Sequence, residues 1–378
     1  MSSNQEFGNK DFRYLKTAIS LGKRNIGQTW PNPSVGCVIV KNNHIIGTGT
    51  TAFGGRPHAE TIALKQAKAD AKDSTMYVTL EPCSHFGKTN PCIIEIIKAK
   101  INRLVCPLKD PNPEVNGSGF KLLEKNGIIV DNSPILYKEI RELNEGFISL
   151  IEKKRPFIAL KLALSLNGKI ATQVNKSNWI TGKKSRNYVQ MLRANYDAII
   201  VGTGTAYWDN PRLNLRNQFH DLPQPTKIII DKNLRLLDQI NSDIESINGK
   251  IIIVHDRKVK KDKVRNTKYS KINFLGIPTT ENDYIDLDIL FKELGNLGYT
   301  RVLVEGGGKL ATSLIKFQLV DKLFLFTAGI LLDKDGIDGF QSSISDIINL
   351  NKYKRYILDR YKSFGNDILH IWNIDNKF

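Results

Sequence analysis

The chain has 378 residues, too many for one ordinary core, and at about 150 residues per domain its length predicts two. Its 41% hydrophobic and 25% charged residues exclude a disordered or fibrous chain, and no apolar run approaches the roughly 20 residues that span a bilayer. The net charge of +17 admits a nucleic acid or an acidic small substrate; because lysines are scattered with no arginine-rich tract, a generally basic surface is the simpler reading, and the same field serves a phosphorylated substrate.

The first 148 residues alternate helix and strand. Phe12, Leu15, Ala18 and Ile19 make a helical stripe within Asp11–Arg24. Val35–Val40 and Ile45–Thr50 read as strands joined by an Asn42-Asn43 turn, a hairpin signal. A helix is expected from His58 to about Ala69, a strand over Thr75–Leu80, a helix from about Asn90 to Lys98 and a strand over Arg103–Pro107. Phe120–Lys125 and Tyr137–Leu150 are further helices around the strand Ile128–Val130. The charged, proline-ended stretch Glu152–Pro156 is the expected boundary. Beyond it come strands at Phe157–Leu164, Ala198–Val201, Lys227–Ile230, Lys250–Val254, Arg301–Val304 and Lys322–Thr327, with helices at Lys183–Asn195, Leu287–Leu297 and Lys309–Phe317. Strands alternating with helices predict two α/β domains.

Four cysteines are too few for a disulfide framework and fit a reducing compartment. The N-terminus from Met1 to Asp11 lacks the order of a signal peptide, so a cytoplasmic enzyme is expected. Cys37 and Cys106 lie in apolar strand-like runs and are expected to be buried as small hydrophobes. Cys83 and Cys92 differ, because each follows a proline and both stand downstream of His58-Ala59-Glu60. One imidazole and two thiolates are three zinc ligands, and a catalytic zinc keeps its fourth position for a water whose pKa it lowers to about 7. Glu60, near the ligands and not needed as one, can take the water proton and return it to a leaving amine. This H-x-E…P-C pattern is the signature of zinc-dependent base deaminases, although eight residues separate Cys83 from Cys92 where two are usual.

The stretch P-C-S-H-F-G-K-T-N-P-C at 82–92, with P-N-P-S-V-G-C-V-I-V at 31–40, resembles the deaminase domain of the bifunctional riboflavin-synthesis enzymes. The resemblance implies a cytidine-deaminase-like fold and removal of the 2-amino group from a phosphoribosylated diaminopyrimidinone. It also implies that Asn32 and the loop Ser84–Asn90 hold the substrate, with Lys88 near its phosphate. Taken alone, Asn32 could equally be a turn residue between two prolines. Thr51 stands where the family usually has histidine, and Asn90 where it has the first of two prolines.

In the second half, Arg301–Val304 runs into Glu305-Gly306-Gly307-Gly308, and Val201 runs into Gly202-Thr203-Gly204-Thr205. Glycines after a strand let backbone N–H groups approach a phosphate at a helix start, or equally make a tight packing turn. No full G-x-G-x-x-G is present. The segments Lys161–Ala171, Trp179–Gly182, Asp209–Arg216 and V-E-G-G-G match, in order, the reductase domain of the same family. That resemblance implies a dihydrofolate-reductase-like fold and NADPH. Carried over, Ala163, Trp179, Thr205, Asp209 and Gly306–Gly308 line the cofactor. Ser177, Arg193, Leu213, Arg216 and Glu305 hold the phosphoribosyl substrate, with Lys161 a further contact. Ring opening of the N-glycoside gives an imine, which a hydride reduces to a ribityl amine. Asn167 departs from the aspartate usual in the family, which questions any charged role there.

The expectation is therefore an α/β chain with a zinc deaminase at 1–150 and an NADPH-dependent ribosyl reductase at 156–378. One Zn2+ per chain, a phosphoribosylated pyrimidine as substrate, and no nucleic acid or membrane partner are expected; a homo-oligomer is left open. Two alternatives stand beside it. An RNA deaminase with a basic accessory domain has the same zinc chemistry, and a zinc-stabilised scaffold needs no catalysis.

Overall fold

The chain divides into two units, Met1–Arg155 and Pro156–Phe378. A computed structural model describes all residues except 1, 87–89, 114, 173–178, 210–212, 238–248, 260–271, 342–354 and 375–378. Lys88 and Ser177 lie outside the described residues.

In the first unit α1 (Ser2–Lys23) precedes β1 (Gly36–Lys41) and β2 (His44–Thr50). Their turn places Asn42 and Asn43 at φ of 50° and 64°, a left-handed conformation that asparagine tolerates better than most residues. There follow α2 (Ala59–Ala67), β3 (Thr75–Val78), α3 (Cys92–Lys98), β4 (Arg103–Val105), α4 (Ser118–Lys125), β5 (Ile129–Asp131), α5 (Tyr137–Leu143) and α6 (Glu145–Lys153). The sheet runs β2-β1-β3-β4-β5. β1 is antiparallel to both neighbours, and β3, β4 and β5 are parallel. Cys37, Val38, Ile39, Met76 and Val78 on the strands bury against Leu15 and Ala18 of α1 and Ala63 of α2. A Cβ at Gly36 would lie 1.9 Å from the Ala18 carbonyl oxygen, and one at Gly49 would lie 2.0 Å from that of Ala59. Both helices therefore rest backbone-to-backbone on the sheet. The Gly49 contact seats the first turn of α2, which is where His58 and Glu60 stand.

Cys37 and Cys106 are fully buried, as expected, and burial pushes both thiols well up. The helix expected over Tyr137–Leu150 is two helices, broken at Asn144. The Asn144 side-chain amide is buried and donates to the carbonyls of Thr79 (3.2 Å) and Ile140 (2.9 Å), tying the break to the strand side of the unit.

The second unit contains β6 (Phe157–Leu164), β7 (Lys169–Ala171), α7 (Lys183–Ala194), β8 (Ala198–Gly202), α8 (Thr203–Asp209), β9 (Thr226–Ile230), β10 (Ile251–Asp256), β11 (Ile272–Ile277), α9 (Leu287–Asn296), β12 (Arg301–Val304), α10 (Gly308–Lys316), β13 (Lys322–Ala328), β14 (Ile337–Asp338), β15 (Tyr356–Phe364) and β16 (Asp367–Ile374). A nine-stranded sheet runs β11-β10-β9-β8-β12-β6-β13-β16-β15, and β14 pairs with β7 apart from it. The strands from β11 to β13 in that order are parallel, and the hairpin β15–β16 adds antiparallel to β13. The fully buried runs Ala198–Val201 and Val302–Val304 are apolar throughout, as parallel strands covered on both faces require. After β8 the chain steps to β9 on one side, and after β12 it reaches β13 on the other. The adjacent C-terminal ends of β8 and β12 thus lie at a topological switch point, where open α/β sheets form their ligand crevice.

Candidate active sites

The first site assembles at helix starts. His58 is the residue ahead of α2, Glu60 lies in its first turn, and Cys92 opens α3. Cys83 sits in the loop after β3, and its sulfur accepts the Cys92 backbone N–H at 3.3 Å. His58 Nδ1 is 3.3 Å from Cys92 Sγ and 3.6 Å from Cys83 Sγ. The three donor atoms all lie within 4.8 Å of one another. Zinc bonds of about 2.3 Å to sulfur and about 2.0 Å to nitrogen set tetrahedral ligand–ligand edges of roughly 3.5 Å, so the donor set fits zinc. As a bare pair the thiols share one negative charge. Hydrogen bonding from Cys92 pulls Cys83 down to about 4 despite burial, and the Cys83 partner then pushes Cys92 far up. A dication resolves that conflict by accepting both thiolates. Hydrogen bonding to Cys83 raises the His58 pKa.

Glu60 is only 4% exposed. Burial raises its carboxyl to about 7 against the lowering influence of His58. A carboxyl near neutrality can both take and return a proton at working pH. Asn32 lies by the approach to His58, where its amide donates to the Gly55 carbonyl at 2.8 Å. Thr51 is buried; its hydroxyl accepts the Val35 N–H at 2.9 Å, so it serves the fold at that position. Ser84 is 2.8 Å from the Ser118 hydroxyl.

One residue beside the ligands escaped the sequence reading. Glu81 is 3% exposed, and its carboxylate accepts N–H groups of Asp110 (3.0 Å), Gly117 (2.9 Å) and Gly119 (2.9 Å). It ties Asp110, Gly117 and Gly119 to the start of the loop carrying Cys83. An isolated glutamate before a proline gives no sequence signal of such a role.

The second site lies at the ends of β8 and β12. A Cβ at Gly307 would be 3.3 Å from the Thr205 hydroxyl, so the two glycine turns face each other. A Cβ at Gly308 would lie 2.4 Å from the Asp338 carbonyl oxygen, leaving room only for glycine. Gly307 precedes α10 without a side-chain cap, so first-turn N–H groups remain for an anion. This arrangement fits the phosphates of a dinucleotide. Ala163 lies on β6 opposite Phe326 of β13. Trp179 is 73% exposed with the Arg186 guanidinium stacked 4.6 Å from its ring centre. Asp209 ends α8.

Glu305, the first residue of the second turn, anchors an ion cluster. Arg193 of α7 forks it through Nε–Oε1 at 2.6 Å and Nη2–Oε2 at 3.1 Å, and Lys161 Nζ is 3.6 Å away. Burial alone would raise the Glu305 carboxyl, but Arg193 and Lys161 overcome it and hold the group at about 2. Burial lowers the Lys161 pKa. Lys227, a second residue the sequence reading passed over, is 3% exposed, and burial with the Arg193 charge lowers it to about 8. Two cationic side chains, Lys161 and Arg193, against the single Glu305 carboxylate leave an excess of positive charge suited to a phosphorylated substrate. The Arg193 fork is committed to Glu305, whereas Arg216 is exposed. Leu213 is 3% exposed within the apolar cluster of Ile199, Val201 and Ile229. Asn167 makes a neutral clamp: its amide donates to the Leu332 carbonyl at 2.7 Å, and its oxygen accepts the Leu332 N–H at 3.1 Å. An aspartate could not make the first bond.

These geometries describe a fused enzyme, hydrolytic in its first unit and reductive in its second. Residues 9–108 match the cytidine and deoxycytidylate deaminase zinc-binding region, and residues 156–368 match the RibD C-terminal domain. The riboflavin biosynthesis protein RibD of Aquifex aeolicus is 39% identical over 84% of this chain and 86% of its own length. That of Haemophilus influenzae is 34% identical over 96% of this chain and 97% of its own. Among solved structures, Acinetobacter baumannii RibD covers 98% of this chain and 100% of its own at 31% identity and a TM-score of 0.86. A Thermotoga maritima diaminohydroxyphosphoribosylaminopyrimidine deaminase/5-amino-6-(5-phosphoribosylamino)uracil reductase gives 30% identity and 0.84 over 98% of this chain and 100% of its own. The chain belongs to the RibD family of riboflavin biosynthesis proteins. It is a bifunctional enzyme, a zinc-dependent deaminase joined to a reductase, and the reductase of this family uses NADPH. The RNA-deaminase reading finds no support in these matches. Among the described residues no helix is long and apolar enough to cross a membrane.

Proposed function

We propose that residues 1–150 hydrolyse the 2-amino group of 2,5-diamino-6-(5-phosphoribosylamino)pyrimidin-4(3H)-one, and that 156–378 then reduce the ribosyl group of the aminouracil product to a ribityl chain. The observation that carries the first step is the buried Glu60 carboxyl beside three zinc-type donors. His58, Cys83 and Cys92 would hold the ion, which would supply an activated water. Glu60 would hold and move the proton, accepting it at its carboxylate and returning it to the departing ammonia. Asn32 and Lys88 orient the substrate.

In the second step bound NADPH would supply the hydride. Ala163, Trp179, Thr205, Asp209 and Gly306–Gly308 border the cofactor, and the residues align nicotinamide and imine while excluding water. Glu305 faces the ribose with Lys161, and Arg193 fixes the Glu305 carboxylate rather than the phosphate. Arg216, with Ser177, then meets the phosphate; Leu213 contributes backbone from a buried position. The protein acts in the cytoplasm on this small substrate, with no nucleic acid or membrane partner.

The test is a coupled assay with that substrate, following ammonia release and NADPH absorbance separately. Both signals are expected. Ammonia release without NADPH loss contradicts the second step, and silence in both channels contradicts the substrate.

A further inference from the structure

Helix α7 has no cap of its own. Gly182 precedes it in extended conformation, and no side chain of its own satisfies the first-turn N–H groups. An acceptor for the residue before the helix and for a first-turn hydroxyl comes from far along the chain. Asp367, the first residue of β16, is 5% exposed, and its Oδ2 accepts the Gly182 N–H at 2.7 Å and the Ser185 hydroxyl at 2.5 Å. β16 is registered on β13 with Asp367 opposite Ala328, so the carboxylate is delivered from the sheet itself. A carboxylate at a helix N-terminus is favoured both by the amides and by the helix dipole.

What α7 holds gives the cap its significance. At its start, Arg186 stacks on Trp179 and donates to the Thr181 carbonyl at 2.5 Å. Further along, Gln190 accepts the Arg216 N–H at 3.0 Å, and Arg193 donates to the Asn214 carbonyl at 3.3 Å while forking Glu305. One helix therefore orients Trp179, the segment 214–216 and the first residue of the glycine turn. We propose that Asp367 is a positioning residue for the reductase's NADPH site, acting through the start of α7. The proposal rests on the reading that Trp179 and the turn Gly306–Gly308 border the cofactor.

The test measures NADPH affinity by titration calorimetry on the full chain. Loss of a helix cap corresponds to roughly a five- to tenfold change in an equilibrium, so Asp367→Ala is expected to raise the NADPH Kd by about that factor. Adding Gly182→Ser places a capping hydroxyl in the vacated space; the backbone at 182 is extended (φ −68°, ψ 170°), so a side chain is tolerated. The double variant is expected to recover most of the affinity. Should Asp367→Ala fail to fold, Asp367→Asn keeps the shape and is expected to weaken binding about two- to fourfold, again with recovery by Gly182→Ser. An unchanged Kd overturns the proposal, as does a loss that Gly182→Ser leaves in place. Failure of the underlying reading looks different: Trp179→Ala then leaves the Kd unchanged, and the proposal falls with it.

Discussion

The two sites are built in contrasting ways. In the first, the four proposed side chains come from two short segments, 58–60 and 83–92, and each stands at a helix start or in the loop leading to one. In the second, Lys161, Arg193 and Glu305 arrive from β6, α7 and the end of β12 to form one buried ion cluster. A site of local donors can be read from spacing, because the chain between them is short. A site of converging charges appears only once strand order is known, because its members are up to 144 residues apart in sequence (161 to 305).

The largest expected effect isolates the first site. Stripping zinc with a chelator should remove ammonia release altogether while leaving NADPH oxidation intact on the deaminated aminouracil. Loss of both activities would contradict independent sites. Glu60→Gln comes next: it keeps the shape of the side chain and removes proton transfer, which typically contributes 10²–10⁴-fold, so ammonia release should fall by about that factor with the metal content unchanged. Loss of metal in this variant would make Glu60 part of the ligand structure instead.

In the ion cluster, removing one partner leaves an uncompensated buried charge, so Glu305→Gln should destabilise the second unit by about 3 kcal/mol at neutral pH. The sign with pH follows from the carboxyl being held at about 2, below its ordinary value of 4.5. The stability it contributes is complete above the ordinary value and is lost as pH falls toward 2. The melting-temperature gap between wild type and variant should therefore narrow as pH drops through that window. A constant gap would mean that packing, not charge, sets the difference. The smallest effect is at Arg216: Arg216→Ala should raise the KM of the phosphorylated substrate about tenfold with little change in that for NADPH. Equal increases in both would place Arg216 between the two ligands rather than at the phosphate.

Much of the fold was legible because apolar runs and their punctuation agree with it. The Asn42-Asn43 hairpin and the strand at Phe157–Leu164 follow from local pattern alone. What escaped did so for physical reasons. β15 is a sheet-edge strand with mostly exposed residues, so it carries no apolar alternation to find. β11 mixes Asn273 and Gly276 into a short run. Asn144 breaks a helix whose apolar period continues past it, because its amide finds a partner on a distant loop end. At the first site the ligands and Glu60 were visible as a motif, but Glu81 was not, since its partners are backbone amides about 30 to 40 residues away. At the second, Arg193 read as a phosphate fork; its engagement with Glu305 and the cap from Asp367 depend on contacts that no local pattern encodes.

The central claim is that one chain holds two sites of separate chemistry in sequence. It is tested most directly by giving the Glu60→Gln protein the two substrates in turn, with NADPH present throughout. With the diaminopyrimidinone, neither ammonia nor NADPH oxidation should appear above a residual rate. With the deaminated aminouracil, NADPH oxidation should run at the wild-type rate. If the variant fails to oxidise NADPH with the aminouracil as well, the two sites are not independent and the account is contradicted.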